Sequence, residues 1–437
     1  MLSMKEKKMK WRNWSRGVTC YPAHIQCPTS MEEVVRLVKE CKENGQKMRL
    51  VGSGHSFTPL VSTDEVMVAL DYLTGVISID KERGIAEVWA GTKLKYLGDE
   101  LYAHGFSQEN LGDINTQSIA GAISTGTHGT GREFGNIATQ LISITVVLAS
   151  GEVVTCSETE NKHLFKAMQV SLGLLGIIVK VELRVVPALH FVHESKRMTL
   201  DVCLEHLDEW KESNRHFEFF WFPHTDAVQV KMMNEVEQTE TGENRWNQWK
   251  KVAVENGVYW MLSEGCRLIP QLSKSVSRLS AKVVPAITEK GPSHRLFATP
   301  RLVKFNEMEY SIPADALKSV ILEMKEALET YKFDVHFPIE CRYAKGDDIL
   351  LSPAYGRDSA YIAVHMYKGM RYQDYFRVME EIFQQYEGRP HWGKMHSFSF
   401  DKINESYPLF QEFLAIQQEL DPQGLFVNDY LRGLFRL

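Results

Sequence analysis

Between Leu111 and Gly131 the chain is almost entirely small or hydroxylated. It runs Leu111-Gly112-Asp113-Ile114-Asn115-Thr116-Gln117-Ser118-Ile119-Ala120-Gly121-Ala122-Ile123-Ser124-Thr125-Gly126-Thr127-His128-Gly129-Thr130-Gly131. Such a stretch lacks the bulk to build a core. Nor is it a flexible linker, because Ile114, Ile119 and Ile123 are interspersed. It suits backbone wrapped closely around a large flat ligand that carries a pyrophosphate. A turn-rich β-sandwich corner is the other outcome this composition allows. The order Gly126-x-x-Gly129-x-Gly131 is not the G-x-G-x-x-G of dinucleotide folds, and no acidic residue ends a second strand in the expected place. Nicotinamide binding is therefore disfavoured.

A second glycine-rich segment lies upstream. The apolar run from Lys47 to Val51 reads as a short strand and leads into Gly52-Ser53-Gly54-His55-Ser56. Glycine admits φ > 0 and puts no side chain in a ligand's way. Successive free N–H groups in such a turn cup an anion, most often a phosphate. A lone G-x-G-H loop is more often a solvated turn histidine. Two such segments in one chain favour a ligand held between them, with His55 beside it.

The length of 437 residues suggests two or three domains. A composition 44% hydrophobic and 24% charged is that of a soluble globular protein. The net charge of −6 argues against a nucleic-acid partner. The opening ten residues are basic, but no apolar segment of a secretory signal follows. No run approaches the ~18 apolar residues of a membrane span. Seven scattered cysteines without a C-x-x-C pair suit a reducing cytoplasm, and neither cysteine nor histidine spacings fit a metal site.

Ser30 and Glu33 form a capping box that opens a helix, and Gly45 is placed to end it. Strands are expected at 77–79 and 85–90 around the turn 81–84. A helix over 94–104 is closed by Gly105. Strands 142–148 and 153–155 form a hairpin across Ser150-Gly151, and a strand following Gly173 ends near Pro187. A βα opening followed by hairpins is an α+β pattern. After Pro187 the texture changes: a strand at 217–221, helices at 315–331 and 372–386, and a strand at 361–367 whose alternation predicts half-burial. Residues 252–284 read as amphipathic helix with breaks. It can dock inside the domain, onto a partner or on a lipid surface, burial being the commoner outcome.

Four pieces carry a resemblance: Trp11-Arg12-Asn13-Trp14-Ser15, the Gly-Ser-Gly-His-Ser loop, the Gly126-Thr127-His128-Gly129-Thr130-Gly131 run, and His391-Trp392-Gly393-Lys394. In order and spacing the chain resembles the vanillyl-alcohol-oxidase superfamily of FAD oxidases. More narrowly, it resembles the sugar-1,4-lactone oxidase and alditol oxidase branch. The resemblance implies a two-domain α+β fold, with an FAD-binding domain at 1–187 and a substrate domain at 188–390. A segment at 391–437, containing Asp421-Pro422-Gln423-Gly424, would return to the FAD domain. The implied flavin contacts are Gly52, Ser53, Gly54, His55, Ser56, Gly112, Ser118, Gly121, Ser124, Thr125, Gly126, Thr127, His128, Gly129, Gly131 and Ile178. His55 matches the histidine bonded to the flavin 8α-methyl group in covalent members. Relatives with a second link carry a cysteine in the later glycine-rich segment; none lies there, so one link is implied.

Glu340 and Arg342 stand two apart on an expected strand and so share a face. Taken alone, they read as a surface ion pair worth ~0–1 kcal/mol. The resemblance places them at the substrate together with Lys394 and, as an additional group, His365. His128 and His391 are expected to brace the site, and Asp113 to face substrate or cap backbone N–H groups. The implied reaction is hydride transfer from a carbinol of a sugar-1,4-lactone to flavin N5, with oxygen reduced to hydrogen peroxide. Gly112 matches a position where glycine goes with oxidase behaviour. A polyol substrate, a quinone or cytochrome acceptor, and a flavin-binding sensor or assembly protein without turnover are the alternatives.

Overall fold

A computed structural model describes residues 9–237, 245–298 and 302–437, with side chains described in all of these except 245–255. Most of the basic opening segment, and the side chains at the start of the amphipathic stretch, therefore lie outside the described residues.

Among the described residues, the N-terminal region holds two larger sheets and two short two-stranded ones, Trp11–Arg12 with Thr19–Cys20 and Phe106–Ser107 with Val186–Pro187. A parallel three-stranded one orders His24–Gln26, Val66–Ala69 and Met48–Val51. The helix Met31–Glu43 crosses between its outer strands, and Ser30 accepts from the Glu33 amide at 3.2 Å as a capping box requires. The Glu33 carboxylate reaches back one residue further than the motif expects, to the Thr29 amide at 2.7 Å. Helix Leu94–Ala103 and the hairpin of Leu141–Val147 with Val153–Ser157 form where the sequence places them. That hairpin belongs to an antiparallel five-stranded sheet with Ile177–Arg184, Ile85–Trp89 and Val76–Asp80.

The second region is one antiparallel sheet of eight strands. Its order is Ile287–Pro292, His190–Thr199, Ala227–Glu235, His216–Trp221, Ile339–Ala344, Ser359–Tyr367, Phe305–Pro313 and Arg389–Pro390. Ser359–Tyr367 corrects an expectation. It is buried along its whole length rather than on alternate residues, because it is a central strand covered on both faces. Helix Leu317–Tyr331 buries Leu317, Val320, Ile321 and Met324 in the core it shares with strand residues Met308, Ile312 and Ile362. The other face meets the glycine-rich run: the Gly131 amide donates to Tyr343 O at 2.9 Å, and His128 stacks on Tyr361 with ring centroids 3.6 Å apart.

The C-terminal segment packs back on the first region. The Met48 amide donates to Leu425 O at 2.9 Å. Arg49, fully buried, donates to Leu60 O, Leu172 O, Gly173 O and Phe426 O. Its burial in place of solvation lowers its pKa to about 9. Asn428 donates to Pro59 O at 2.9 Å and Ser62 O at 2.8 Å.

Candidate active site

Two adjoining cavities meet at His55. The first is a cleft lined by the Gly52–Ser56 loop, Arg49, Leu70, Asp71, Gly91, Lys93, Ser118, Gly121, Ser124, Thr125, Leu172, Gly176 and Ile178. Its walls close only because side chains are missing. A Cβ on Gly52 would sit 2.5 Å from Ser118 Oγ, and one on Gly91 would sit 1.9 Å from Leu70 O. Gly54 takes φ +67, which turns the loop under Trp11. Among the described residues, the amides of Ser53, Gly54 and His55 donate to no protein oxygen, so three N–H groups remain for a ligand anion. Lys93 adds positive charge at the rim, where it also meets Asp71 at 3.0 Å. This donor set and free width fit FAD.

Gly112, Gly126, Gly129 and Gly131 were expected as flavin contacts, yet they line neither cavity. They are packed on protein instead: a Cβ on Gly129 would meet Leu111 O at 2.1 Å, and one on Gly131 would meet Arg215 O at 2.6 Å. Thr127 and His128 line the second cavity rather than the cleft.

His55 stacks on Trp14, ring centroids 5.6 Å apart, and its Nε2 lies 2.8 Å from Thr116 Oγ1. Burial, then the cations Lys394 and Lys304, lower its pKa to about 4. The ring is neutral near pH 7, with Nδ1 outside that contact. The opening aromatic motif thus has a local purpose: Trp14 N bonds Gly54 O at 2.7 Å and Asn13 Nδ2 bonds Ser56 O at 2.9 Å.

The second cavity lies past His55, against the eight-stranded sheet. It brings together His55, Asp113, Glu307, Glu309, Glu340, Arg342, His365, His391 and Lys394. Sheet register explains the convergence, since directly paired residues project on one face. Lys231, Glu218, Arg342 and Tyr361 are successive partners across four adjacent strands. The next row is Phe220, Glu340, Ala363 and Glu309. Beyond it, Glu307 pairs with His365.

Arg342 is held on several sides. Its Nε donates to Glu218 Oε2 at 3.0 Å, Nη2 meets Glu340, and Asp113 Oδ2 lies 3.8 Å away. Burial disfavours its charge, but Glu340, Glu218 and Asp113 together hold its pKa well above the ordinary value. Lys394 Nζ reaches Glu307 Oε2 at 2.5 Å, and His365 Nε2 is 3.5 Å from Glu307 Oε1. Burial pushes the Glu307 pKa up, yet Lys394 and His365 overcome it and bring it to about 2.

His128 behaves as the brace expected of it. Its Nδ1 lies 2.8 Å from Gly129 O and its Nε2 lies 3.1 Å from Glu309 Oε1. Against its burial, Glu309 is held well below the usual carboxylate range by His128 beside it. His391 accepts from the Gly393 amide at 3.0 Å, and burial lowers its pKa to about 3. One ligand atom each of His128, Glu309 and His391 lie within 4.8 Å of one another. Sequence spacing does not show this donor group, and the hydrogen bonds above already engage it.

Sequence reasoning passed over Glu307, Glu309 and Glu218. A signal for each was present: carboxylates interrupt the strands Phe305-Asn306-Glu307-Met308-Glu309-Tyr310 and Phe217-Glu218-Phe219-Phe220-Trp221. An acid inside an otherwise apolar strand is either misplaced or paired.

Residues 22–157 match the family model described as FAD binding domain, and the cleft lies largely within them. Fold and site define an FAD-dependent oxidoreductase of the vanillyl-alcohol-oxidase type, acting on CH–OH groups. Residues 181–434 match the D-arabinono-1,4-lactone oxidase model, and the chain belongs to that family. An L-gulono-1,4-lactone dehydrogenase of Mycobacterium tuberculosis is 38% identical over 97% of this chain and 98% of its own. The L-gulonolactone oxidase of Mus musculus is 33% identical over 98% of this chain and 99% of its own. Cholesterol oxidase from B. sterolicum shares the fold at a TM-score of 0.81, with 16% identity over 98% of this chain and 97% of that one.

Proposed function

We propose that this protein oxidises the ring carbinol adjacent to the carbonyl of an aldono-1,4-lactone, with FAD bonded to His55 and oxygen as the acceptor. The observation that carries this reading is the convergence of Glu340, Arg342, His365 and Lys394 on the cavity that His55 opens into. FAD, when bound, takes the hydride at N5 and passes the electrons on.

The chain's own groups do the rest. Arg342 and Lys394 supply fixed positive charge where substrate oxygen becomes negative. Glu340 binds substrate hydroxyls or accepts the carbinol proton. That proton is more acidic than in an isolated alcohol because the lactone carbonyl is adjacent, so a weak base suffices. Glu307 and Glu309 act through others, holding Lys394 and His128 in place. The neutral His55 ring is in the form that can bond the flavin methyl, and its stack on Trp14 fixes its direction. The seven free cysteines suit a reducing cytoplasm, where we place the protein.

The test is anaerobic flavin bleaching with gulono-, galactono- and arabinono-lactones beside xylitol and sorbitol. If the alditols win by about tenfold in kcat/KM, ~1.4 kcal/mol of transition-state binding, the lactone assignment fails. Flavin that stays in the supernatant after acid precipitation would end the covalent claim; His55→Ala is expected to release it. A dehydrogenase reading has one observation in its favour, the 38% identity to the mycobacterial L-gulono-1,4-lactone dehydrogenase. Oxygen consumption against dye reduction separates the two.

A further inference from the structure

The helical hairpin after Gly257 is built inside out. Helix Ser273–Val283 turns Ser273, Val276, Ser277 and Ala281 inward and buries them. Its solvent side carries Leu279 and Val283, the latter 66% exposed. The helix before it, Arg245–Leu268, shows the same fault. Ser263 and Cys266 are buried, while Trp260, Met261 at 67% and Leu268 at 70% face outward. Ile269 and Leu272, in the turn between the helices, are exposed as well. Core burial accounts for Cys266, Val276 and Ala281 but leaves the larger apolar side chains Trp260, Met261, Leu268, Ile269 and Val283 outside. Exposed apolar groups gathered in one segment mark a surface for another apolar phase.

Charge identifies that phase. Between Gly265 and Thr288 the chain has Arg267, Lys274, Arg278 and Lys282, and no acid, within a protein of net charge −6. At 3.6 residues per turn, Lys274, Arg278 and Lys282 recur every four and form a stripe beside Leu279 and Val283. Acids adjoin the segment: Glu264, tied to Arg267 at 2.6 Å, Glu289 directly after Thr288, and Asp334, which acts on His224 together with Lys274 and Arg278. They do not cancel the stripe. Apolar side chains interleaved with lysine and arginine are what a helix needs to sit in the headgroup region of an anionic bilayer. No helix among the described residues is long and apolar enough to cross one. We propose that this hairpin docks the enzyme peripherally on an anionic phospholipid surface.

Holoenzyme is expected to pellet with vesicles of phosphatidylcholine and phosphatidylglycerol, to stay in solution with phosphatidylcholine alone, and to be released by high salt. Lys274→Gln, Arg278→Gln and Lys282→Gln combined should weaken partitioning about a hundredfold at low salt. Leu268→Ser, Ile269→Ser and Leu272→Ser combined should weaken it at least about tenfold. Neither set touches the active site, so unchanged turnover of soluble substrate shows that each variant is folded. Wild-type protein that ignores anionic vesicles overturns the proposal. So does concentration-dependent dimerisation abolished by the serine variants without vesicle binding, which would make the face a contact between copies of this chain.

Discussion

The flavin cleft and the substrate chamber meet at one histidine and are made of opposite materials. The cleft is backbone: glycines, alanines and serines withdraw so that amides stand free and two loops can approach. The chamber is charge. It is lined or backed by Glu218, Glu307, Glu309, Glu340 and Asp113, set against Arg342, Lys394 and Lys231, with His128 and His365 between acceptors. A backbone cleft tolerates loss of charge and fails on added atoms. A charge chamber tolerates small changes of volume and fails when one member of a pair is removed.

The largest effect should therefore come from the chamber. Arg342→Ala removes a buried cationic partner from Glu218 and from Glu340, and Lys394→Ala removes one from Glu307. Each should slow flavin reduction by at least about 30-fold, ~2 kcal/mol, the scale of one lost electrostatic donor. Because the donor acts in the transition state, kcat and kcat/KM should fall together. FAD content should stay near wild type. Equal loss of flavin in both variants would dissolve the distinction between the two regions.

Acid should open both regions in sequence. In flavin-free protein the His55 pKa is lowered from 6.5 to about 4, so the unfolded chain takes that proton first and stability falls as pH drops from 6.5 towards 4. His336, also about 4, adds to the same window. The Glu307 pKa is lowered from 4.5 to about 2, so its contribution is complete above 4.5 and is lost as pH falls towards 2. Protonating Glu307 leaves Lys394 buried beside a neutral acid, a change on the order of 3 kcal/mol. Melting temperatures measured against pH should decline in these two stages. A flat profile from pH 7 down to 4 would refute the histidine part.

The cleft fails on an added methyl. Gly91→Ala directs a Cβ at the Leu70 carbonyl, 1.9 Å away, and backbone cannot swing aside as a side chain does. The cost should be about 1–3 kcal/mol of overpacking. It should appear as lost flavin occupancy, read as the ratio of flavin to protein absorbance, with the eight-stranded sheet intact by circular dichroism. A flavin-replete Gly91→Ala enzyme would mean that the cleft walls are not set by this approach.

The two regions also differed in how far the sequence revealed them. Much of the cleft comes from two contiguous runs, Gly52–Ser56 and Ser118–Thr125, which announce it by composition. The chamber is assembled by strand pairing between residues far apart in the chain, as Glu218 with Arg342 and Glu307 with His365. Locally, the chamber shows only as charged residues inside apolar strands: the pair Glu340 and Arg342, two apart on one strand, and the acids Glu218, Glu307 and Glu309. Glu307 and Glu309 carry the same spacing, but nothing local says that the strand Phe305–Pro313 is buried on both faces. The same gap explains Ser359–Tyr367: alternation in the residues suggested a wet face, and the flavin domain covers it. The later glycines were legible as glycines, but the chain that closes on Gly129 and Gly131, Leu111 O and Arg215 O, lies far from them in sequence and was not.

The smallest effect expected is the one at the seam. Gly112 lies outside both cavities, yet a Cβ there would sit 3.2 Å from Thr127 Cγ2 and 3.3 Å from His128 O. Those distances are tight rather than impossible, so the neighbours must give by a few tenths of an ångström. Thr127 and His128 line the chamber, and His128 holds Glu309 at 3.1 Å. Gly112→Ala should therefore push the chamber wall without adding a group to the chamber itself. A small shift there should hinder oxygen more than hydride transfer, because substrate is held by several charges and oxygen by none. We expect reoxidation by oxygen to slow about tenfold, ~1.4 kcal/mol, while anaerobic reduction by lactone and turnover with a dye change less than threefold. Stopped-flow measurement of the two half-reactions decides it. Equal slowing of both would make Gly112 a packing residue of the chamber, and no slowing of either would remove it from the account of the acceptor.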